Sequence, residues 1–281
     1  MLDLIQIFAW PFVACLLILG IHCYLGLHIV SRGVIFVDLS LAQLAAFGAS
    51  LVLLFGCEIE SNIAYFSGLL FTFVGAVIFS ITRMRDEKVP QEAIIGIVYA
   101  VASAATILIL SEAPHGIEKI KGMLDGGILY VNGNGVLKIF IIYAVIGVFH
   151  YIFRNRFLLI STNPSEARAK GIKIGFWDFL FYITFGIVVT TAVQVVGILM
   201  VFSYLIIPAV CAMFFTDRII PRLLIGWGIG IFASVAGLLL SYYGSCEGLP
   251  SGSSIVVSFG AVLILAVLVK QSLRFSTNKN R

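Results

Sequence analysis

The sequence predicts an all-α integral membrane protein with about eight or nine transmembrane helices. Of its 281 residues, 60% are hydrophobic and only 11% are charged, and the mean hydropathy is +1.09. These values describe a chain whose solvent is mostly lipid. The 27 glycines suit helices that pack closely in a membrane, because small residues let backbones approach one another. Residues 1–281 are therefore expected to form a single transmembrane domain.

Eight apolar stretches divide the chain, and each is long enough to cross a bilayer. They lie at about residues 8–30, 37–56, 62–82, 91–111, 136–153, 177–216, 222–243 and 254–271. The stretch at 177–216 is too long for one crossing, because a hydrocarbon core of about 30 Å needs only about 20 residues. We expect it to turn back near Gln194–Gly197, which gives nine crossings, or eight and a re-entrant segment.

The basic residues mark one side of the predicted bundle. They are Arg83, Arg85 and Lys88, then those of the island Arg154–Asp178, then Arg218 and Arg222, and finally Lys270, Arg274, Lys279 and Arg281. The alternate connections hold Glu58, Glu60, the charge-balanced segment 112–125 and Glu247. With nine crossings all the basic clusters share one side, which the positive-inside rule makes cytoplasmic. The N-terminus is then outside and the C-terminus inside.

Two connections are predicted to contain short helices of their own. The island Arg154–Asp178 includes a helix-forming run at Pro164–Lys170. The segment of about 113–126, which contains PHGIEKIKGMLD, is too polar to span and predicts an amphipathic helix on the outer surface. Within it, His115 and Glu118 are three residues apart and face one way. A contact with a partner or with the pore mouth explains this pair better than a metal site does.

The ends of two spans carry their own signals. Pro90 is predicted to open the fourth span, with Glu92 in its first turn, where a carboxylate suits the helix dipole. The residues LPSG at 249–252 predict a turn, after which Ser253 is expected to cap the last span.

Signatures of enzymes and of nucleotide binding are missing from the sequence. It has no GxxxxGK[ST] motif that would cradle ATP phosphates, and it has neither HExxH nor GxSxG. The five cysteines form no CxxC pair, so a cysteine-rich metal site is not predicted. The net charge of +4 does not indicate nucleic-acid binding, because the basic residues lie in short loops. The chain is expected to be a membrane protein without catalytic residues or a cofactor of its own.

Asp38 is the most informative polar residue of the predicted spans. A carboxylate near the centre of a bilayer costs about 2.5–3.5 kcal/mol on insertion scales, so one that is retained there is usually functional. The alternative is that Asp38 caps its helix at the interface and pairs with Arg32. Ser40 and Gln43 could supply further oxygen ligands for a metal, or they could bond between helices.

Two pairs of residues have weaker interpretations. Cys15 and His22 are seven residues apart and share a helix face, where close packing is a better explanation than a metal relay. Cys57 and Cys246 both fall in predicted outer connections and could form a disulfide in an oxidising compartment.

Five stretches share a pattern with one known family. The most specific is VVGILMVFSYLIIPAVCA at 195–212, which is similar to a VVG-hydrophobic-LLIIP-A pattern. The others are PQEAIIGIVYA at 90–100, MLDGGILYV at 123–131, RFLLISTNPSEARAKGI at 156–172 and LPSGSSIVVSFG at 249–260. Together they resemble the permease subunit of metal-ion ABC importers, the family of the zinc and manganese uptake permeases. The resemblance covers nearly the whole chain in the right order.

The resemblance implies a permease domain in the bacterial inner membrane that binds no ATP itself. Two permease copies would pair as a homodimer, and each would dock a cytoplasmic ATP-binding subunit. An extracytoplasmic metal-binding protein would deliver the metal ion. The segment of about 154–176 would carry the helix that couples the permease to the ATPase. The residues expected to make that contact are Asn163, Pro164, Ser165, Glu166, Ala167, Arg168, Lys170 and Gly171.

The second span departs from the family pattern G-D-A-x-S/A-H. Asp38 matches the aspartate of that pattern, but Val37 replaces the glycine, Ala42 replaces the histidine, and Gln43 follows one residue later. Because five residues turn a helix by about 500°, Gln43 does not take over the face of the missing histidine. Asp38, Ser40 and Gln43 would form an oxygen site, so manganese, iron or a metal chelate becomes as good a candidate as zinc.

A second function class is an ATP-independent secondary transporter of a small solute or ion. Such a transporter is expected to show inverted repeats and helices broken by glycine or proline at matching positions. The sequence shows neither feature, so the importer permease is preferred.

Overall fold

The computed structural model describes residues 2–58, 61–83, 89–113, 115–244 and 249–279, with side chains for those between 8 and 273. The described residues are helical and include no strand, with short 3₁₀ turns at Val52–Phe55 and Ile128–Tyr130. The α-helices are α1 (Leu2–Arg32), α2 (Val37–Leu51), α3 (Asn62–Thr82), α4 (Gln91–Ser111), α5 (Gly116–Asp125), α6 (Gly133–Ile152), α7 (Arg154–Thr162), α8 (Pro164–Ala169), α9 (Ile174–Met213), α10 (Ile219–Tyr243) and α11 (Ser251–Lys279).

Eight of these helices are long and apolar enough to cross a membrane: α1 to α4, α6, α9, α10 and α11. Their outward faces carry exposed apolar side chains, such as Val101 and Leu108 on α4. Faces of this kind suit contact with lipid, and the helices satisfy their own backbone hydrogen bonds as the bilayer core requires. The predicted all-α membrane fold is confirmed.

The long helix α9 is broken at Gly197. There φ is 75° and ψ is 168°, a combination that essentially only glycine adopts. Gly126, which follows α5, has similar angles, with φ of 69° and ψ of −171°. A Cβ atom at Gly197 would lie 2.5 Å from the backbone nitrogen of Gly126, so the two backbones touch. The turn predicted near Gln194–Gly197 falls on the last residue of that range.

The chain reverses direction at this break. Asp178, near the start of α9, pairs with Arg32 at the end of α1. Gly197 follows about 28 Å further along the axis, at 1.5 Å for each of about 19 residues. Beyond α9, Arg222 of α10 is back beside Ser31, because the two line one small cleft. α9 therefore folds back on itself at Gly197 as two antiparallel arms, and the count of nine crossings stays a prediction.

The two ends of the bundle can be named from these contacts. Ser161 of α7 bonds to Arg32, so α7 and α8 lie where α1 ends and α9 begins. We call this the α8 end. The opposite end, where Gly197 touches the loop after α5, is the α5 end.

The core is centred on α9, which contacts α1, α2, α3, α10 and α11 among others. Its largest fully buried side chains include Phe181, Tyr182, Phe185 and Tyr204. A helix that is apolar on all faces belongs in the middle of a bundle, and α9 occupies that place.

Several parts of the predicted charge and cysteine patterns lie outside the described residues. They are Glu60, Arg85, Lys88, Pro114, Cys246, Glu247 and Arg281. The side chains of Arg274 and Lys279 are also outside. The pairing of Cys57 with Cys246 therefore stays a prediction.

Candidate functional site

The island between α6 and α9 forms two helices, α7 and α8, where the sequence predicted one short run. Only Asn163 separates them. Pro164 takes the first position of α8, where its missing N–H would be unpaired in any residue. Gly171, with φ of 72°, ends the turn that follows. The predicted helix at Pro164–Lys170 is confirmed and ends one residue earlier, at Ala169.

The side chain of Asn163 caps the start of α8, and the side chain of Glu166 bonds back to the Asn163 amide. The backbone N–H of Glu166 donates to Asn163 Oδ1 at 3.1 Å, and Asn163 Nδ2 donates to Glu166 Oε2 at 3.1 Å. Lys170 Nζ donates to Glu166 Oε1 at 2.6 Å. This hydrogen bond and the positive charge of Lys170 lower the pKa of the Glu166 carboxyl. These contacts support the first turn of a helix of only six residues.

α8 presents a polar surface with one buried anchor. Ala167 is fully buried, so its side chain packs inward and is not available to a partner. Pro164 is half-buried. The remaining residues predicted to contact an ATPase are exposed: Asn163, Ser165, Glu166, Arg168, Lys170 and Gly171. The ATPase contact itself stays a prediction.

α7 is joined to the spans by four residues that we call the arginine cluster: Arg32, Arg83, Asp178 and Ser161. Arg32 Nη1 and Arg83 Nη1 donate to the same oxygen, Asp178 Oδ1, at 2.9 and 2.6 Å. Arg32 Nε donates to Ser161 Oγ at 2.9 Å. The side chains of Arg32 and Asp178 are fully buried. The cluster therefore connects α1, α3, α7 and α9 by directional polar contacts.

Asp38 lies in the first turn of α2 and is buried. The proposed pair with Arg32 is wrong, because Arg32 is held by Asp178 and Ser161. Phe36, and not Asp38, is the N-cap residue of α2, while the Asp38 carboxylate lies beside the backbone N–H groups of Asp38 and Leu39 in the first turn. Neither carboxylate oxygen of Asp38 meets hydrogen-bond geometry with a described residue. A buried carboxylate that has no hydrogen-bond partner from another helix calls for a functional explanation.

Ser40 and Gln43 are also buried, but helix geometry separates them from Asp38. Two residues rotate the helix by about 200° and five by about 500°, so the three side chains leave α2 in different directions. Among the described residues no three His, Cys, Asp or Glu side chains lie close enough to hold a metal ion. The predicted ligand set is not gathered on one face, and its role stays a prediction.

Glu92 is a second acidic candidate for the site at Asp38. From the sequence, Glu92 was expected only to lie at the start of the fourth span. It lies in the first turn of α4, as predicted. Its Oε1 accepts a hydrogen bond at 3.1 Å from the backbone N–H of Phe36, two residues before Asp38. Its Oε2 is buried and has no described partner. A carboxylate from α4 thus stands beside the start of α2, and no local pattern in the sequence places the two helices together.

A cavity of about 1010 Å³ opens between α2, α3, α5 and the first half of α9. It begins at Ala45 on α2, so Asp38 lies about 10 Å below it along the helix. Its polar lining includes Glu58, Tyr65, Glu118, Thr190 and Gln194. The predicted pair of His115 and Glu118 is formed, with 2.9 Å between His115 Nδ1 and Glu118 Oε2. The helix α5 therefore lines one side of this cavity, and its contact with a partner or with a pore mouth stays a prediction.

The start of α11 is fixed by Asp125, at the end of α5. Asp125 Oδ1 accepts hydrogen bonds from the backbone N–H and the Oγ of Ser253, both at 2.6 Å. The prediction that Ser253 caps the last span is wrong, because α11 begins two residues earlier, at Ser251. An aspartate from a distant segment fills the capping role instead.

Cys15 and His22 belong to the packed interior of α1. His22 Nδ1 is 2.9 Å from its own helix carbonyl at Ile18, and both residues are fully buried. The preferred interpretation, a packed helix face, agrees with these contacts.

The fold and these sites define a multi-pass α-helical membrane protein with a capped surface helix at one end and a cavity at the other. The chain belongs to the ABC 3 transport family, whose pattern matches residues 5–270. The predicted family is confirmed, and the chain is a membrane-spanning permease of an ABC transporter.

Two known relatives have similar sequences, and one solved structure has a similar fold. The manganese transport system membrane protein MntC of Listeria innocua is 28% identical over 226 residues, which are 77% of this chain and 79% of that protein. The chelated iron transport system membrane protein YfeC of Yersinia pestis is 28% identical over 180 residues, which are 64% of this chain and 59% of that protein. The solved structure of PsaBC from Streptococcus pneumoniae in complex with Fab shares the fold, with a TM-score of 0.78, 21% identity and coverage of 94% of this chain and 93% of that one.

Proposed function

We propose that this permease imports a divalent metal ion or a metal chelate, driven by ATP hydrolysis on a separate subunit. The observation that carries the proposal is α8, a short capped helix whose polar side chains point away from the bundle. The chain belongs to a family of ABC transporters, and its sequence has no phosphate-binding loop of its own. A capped helix with an exposed polar face suits docking to an ATPase.

Manganese or iron is the preferred cargo. The relatives are named for manganese and for chelated iron, and Ala42 stands where a histidine would favour zinc. Asp38 is the residue we expect the metal to meet, whereas Ser40 and Gln43 leave α2 in other directions. The two buried oxygens of Asp38 have no hydrogen-bond partner from another helix, and hard carboxylate oxygens suit manganese.

The remaining partners follow from the same function. The α8 end is cytoplasmic and the α5 end faces outside, which puts the N-terminus outside and the C-terminus inside the bacterial inner membrane. An extracytoplasmic metal-binding protein would deliver metal at the cavity beside α5. A second copy of the permease would complete the pathway as a homodimer.

The decisive experiment is uptake of radioactive Mn²⁺ and Fe²⁺ into proteoliposomes that hold the permease with its ATPase. We expect uptake that requires ATP and stops when the phosphate-binding lysine of the ATPase is replaced. Competition with Zn²⁺ ranks the metals. Uptake that continues with the inactive ATPase would favour the secondary transporter and overturn the proposal.

A further inference from the structure

The arginine cluster is one of the polar connections between α7 and the spans, beside the hydrogen bond from Arg154 Nη1 to the Tyr151 carbonyl of α6 and the stacking of Arg156 on Trp177 of α9. Of the α7 side chains, Phe157 and Ile160 pack into the core by apolar contact alone. Ser161 differs, because its hydroxyl oxygen accepts from Arg32 Nε at 2.9 Å and lies 2.8 Å from His28 Nδ1. Since Arg32 donates to this oxygen, the serine hydrogen can point to the histidine. Ser161 thus fixes the direction of α7 against α1.

Arg32 itself has little freedom to move independently. Its guanidinium lies over the ring of Phe181, 3.8 Å from the ring centre, and it bonds Asp178 on the same helix, α9. A planar guanidinium with fixed donor directions transmits a displacement better than an apolar contact, which can slide. Arg83 brings α3 to the same carboxylate oxygen.

The cluster also has unused hydrogen-bonding capacity. Arg32 Nη2 and Asp178 Oδ2 are buried and have no partner among the described residues. Both arginines instead share Asp178 Oδ1. Pairing of Arg32 and Asp178 through two parallel hydrogen bonds, as arginine and carboxylate often do, would give the cluster the second arrangement that a coupling element needs.

We propose that Ser161 and Arg32 are positioning residues that transmit movement of α8 to α1, α3 and α9. Ser161 lies two residues before Asn163, the cap of α8, so a displacement of α8 moves Ser161 with it. Arg32 passes the displacement to Asp178, at the start of the helix that breaks at Gly197. This inference rests on the proposed ATP-driven function. It adds the residues that connect the ATPase-docking helix α8 to the membrane-spanning helices.

The test compares Ser161→Ala with the neighbouring Thr162→Ala in proteoliposomes that hold the ATPase and the metal-binding protein. Thr162 is exposed and its hydroxyl bonds only to the Leu158 carbonyl of its own helix, at 2.8 Å. ATP hydrolysis and Mn²⁺ uptake are measured together. For Ser161→Ala we expect hydrolysis to persist and the Mn²⁺ moved per ATP to fall about fivefold or more, the lower range for coupling between sites. Thr162→Ala should keep the wild-type ratio.

Two further variants separate coupling from a structural role. Ser161→Thr keeps a hydroxyl and should restore the ratio. Arg32→Lys keeps a positive charge for Asp178 but lacks the Nε donor to Ser161. It should therefore lower the Mn²⁺ moved per ATP as Ser161→Ala does. If Ser161→Ala does not assemble, Arg32→Lys takes its place in the comparison. An unchanged ratio, or equal losses of hydrolysis and uptake, would overturn the inference. If the wild-type protein itself shows no ATP-dependent uptake, the proposed function is overturned instead.

Discussion

Gly126 and Gly197 touch backbone to backbone at the α5 end, and both have positive φ with extended ψ. The contact continues on both sides, since the N–H of Gly127 donates to the Val195 carbonyl at 3.2 Å. Gly127 lies two residues after the end of α5. The loop that follows α5 is thus hydrogen-bonded to the point where α9 reverses. The reversal is a packed joint rather than an open loop.

Gly197→Ala is expected to destabilise the protein. The backbone angles at this position cost a residue with a Cβ about 1–3 kcal/mol, and the added carbon would lie 2.5 Å from the Gly126 nitrogen. Thermal unfolding of the purified protein in detergent measures the effect. Gly228→Ala is the control, because a Cβ there meets nothing within 4 Å. Equal melting temperatures for the two variants would show that the break does not need glycine.

Asp38→Asn is expected to reduce metal uptake to background without lowering stability. The carboxyl group is buried and makes no ion pair with a described residue, so an amide of the same size breaks no charge pair there. Uptake in cells and melting of the purified variant are the two measurements. A variant that melts earlier and still transports would identify Asp38 as a structural residue.

Asp178→Asn is expected to behave in the opposite way. It leaves the buried Arg32 and the nearby Arg83 without their shared carboxylate. Breaking a buried pair by removing one partner costs about 3–5 kcal/mol. The same melting experiment should therefore rank Asp178→Asn well below Asp38→Asn. The reverse order would mean that the arginine cluster contributes little to the fold.

The double variant Glu166→Ala with Arg168→Ala is expected to weaken binding of the ATPase. Both side chains are exposed on α8, and loss of a contact worth about 1.4 kcal/mol lowers affinity tenfold. Co-purification of the two subunits, together with ATP hydrolysis per uptake event, tests this. Lys173→Ala, exposed just beyond α8, is the matched control. Full recovery of the ATPase with the double variant would place the docking surface elsewhere.

Asp125→Asn is expected to loosen the α5 end. It weakens two hydrogen bonds to Ser253, and loss of a helix cap costs about 0.5–2 kcal/mol. Limited proteolysis near α5 and melting in detergent should both show the change. Asp217→Asn, at an exposed position, is the comparison. Identical cleavage of both variants would argue that Asp125 does not hold α5 in place.

The sequence predicted those features that depend on segment length and on local composition. The apolar stretch that contains α9 was too long for one crossing, and Gly197 is where the reversal occurs. The run at Pro164–Lys170 carried its own start signal, and α8 is there. The segment around Glu118 was too polar to span, and α5 forms a surface helix beside the cavity.

The features that escaped prediction depend on partners far apart in the chain. Arg32 was matched with the nearby Asp38, whereas its partner is Asp178, 146 residues away. Ser161 bonds Arg32 across 129 residues, and Ser253 meets Asp125 across 128. Helical periodicity tells which side chains share a face of one helix. It does not tell which helix that face meets, so buried polar pairs need the folded structure.

The exposed side chains of α8 are not part of the core. Ala167 is the fully buried residue of this helix and packs against the core. Mutations at Ser165, Glu166, Arg168 or Lys170 can therefore accumulate without disturbing the spans. The buried surroundings of Asp38 allow no such freedom. If α8 docks the ATPase and Asp38 meets the metal, as we propose, a change of ATPase would require substitutions only on a surface that is separate from the one that recognises the cargo.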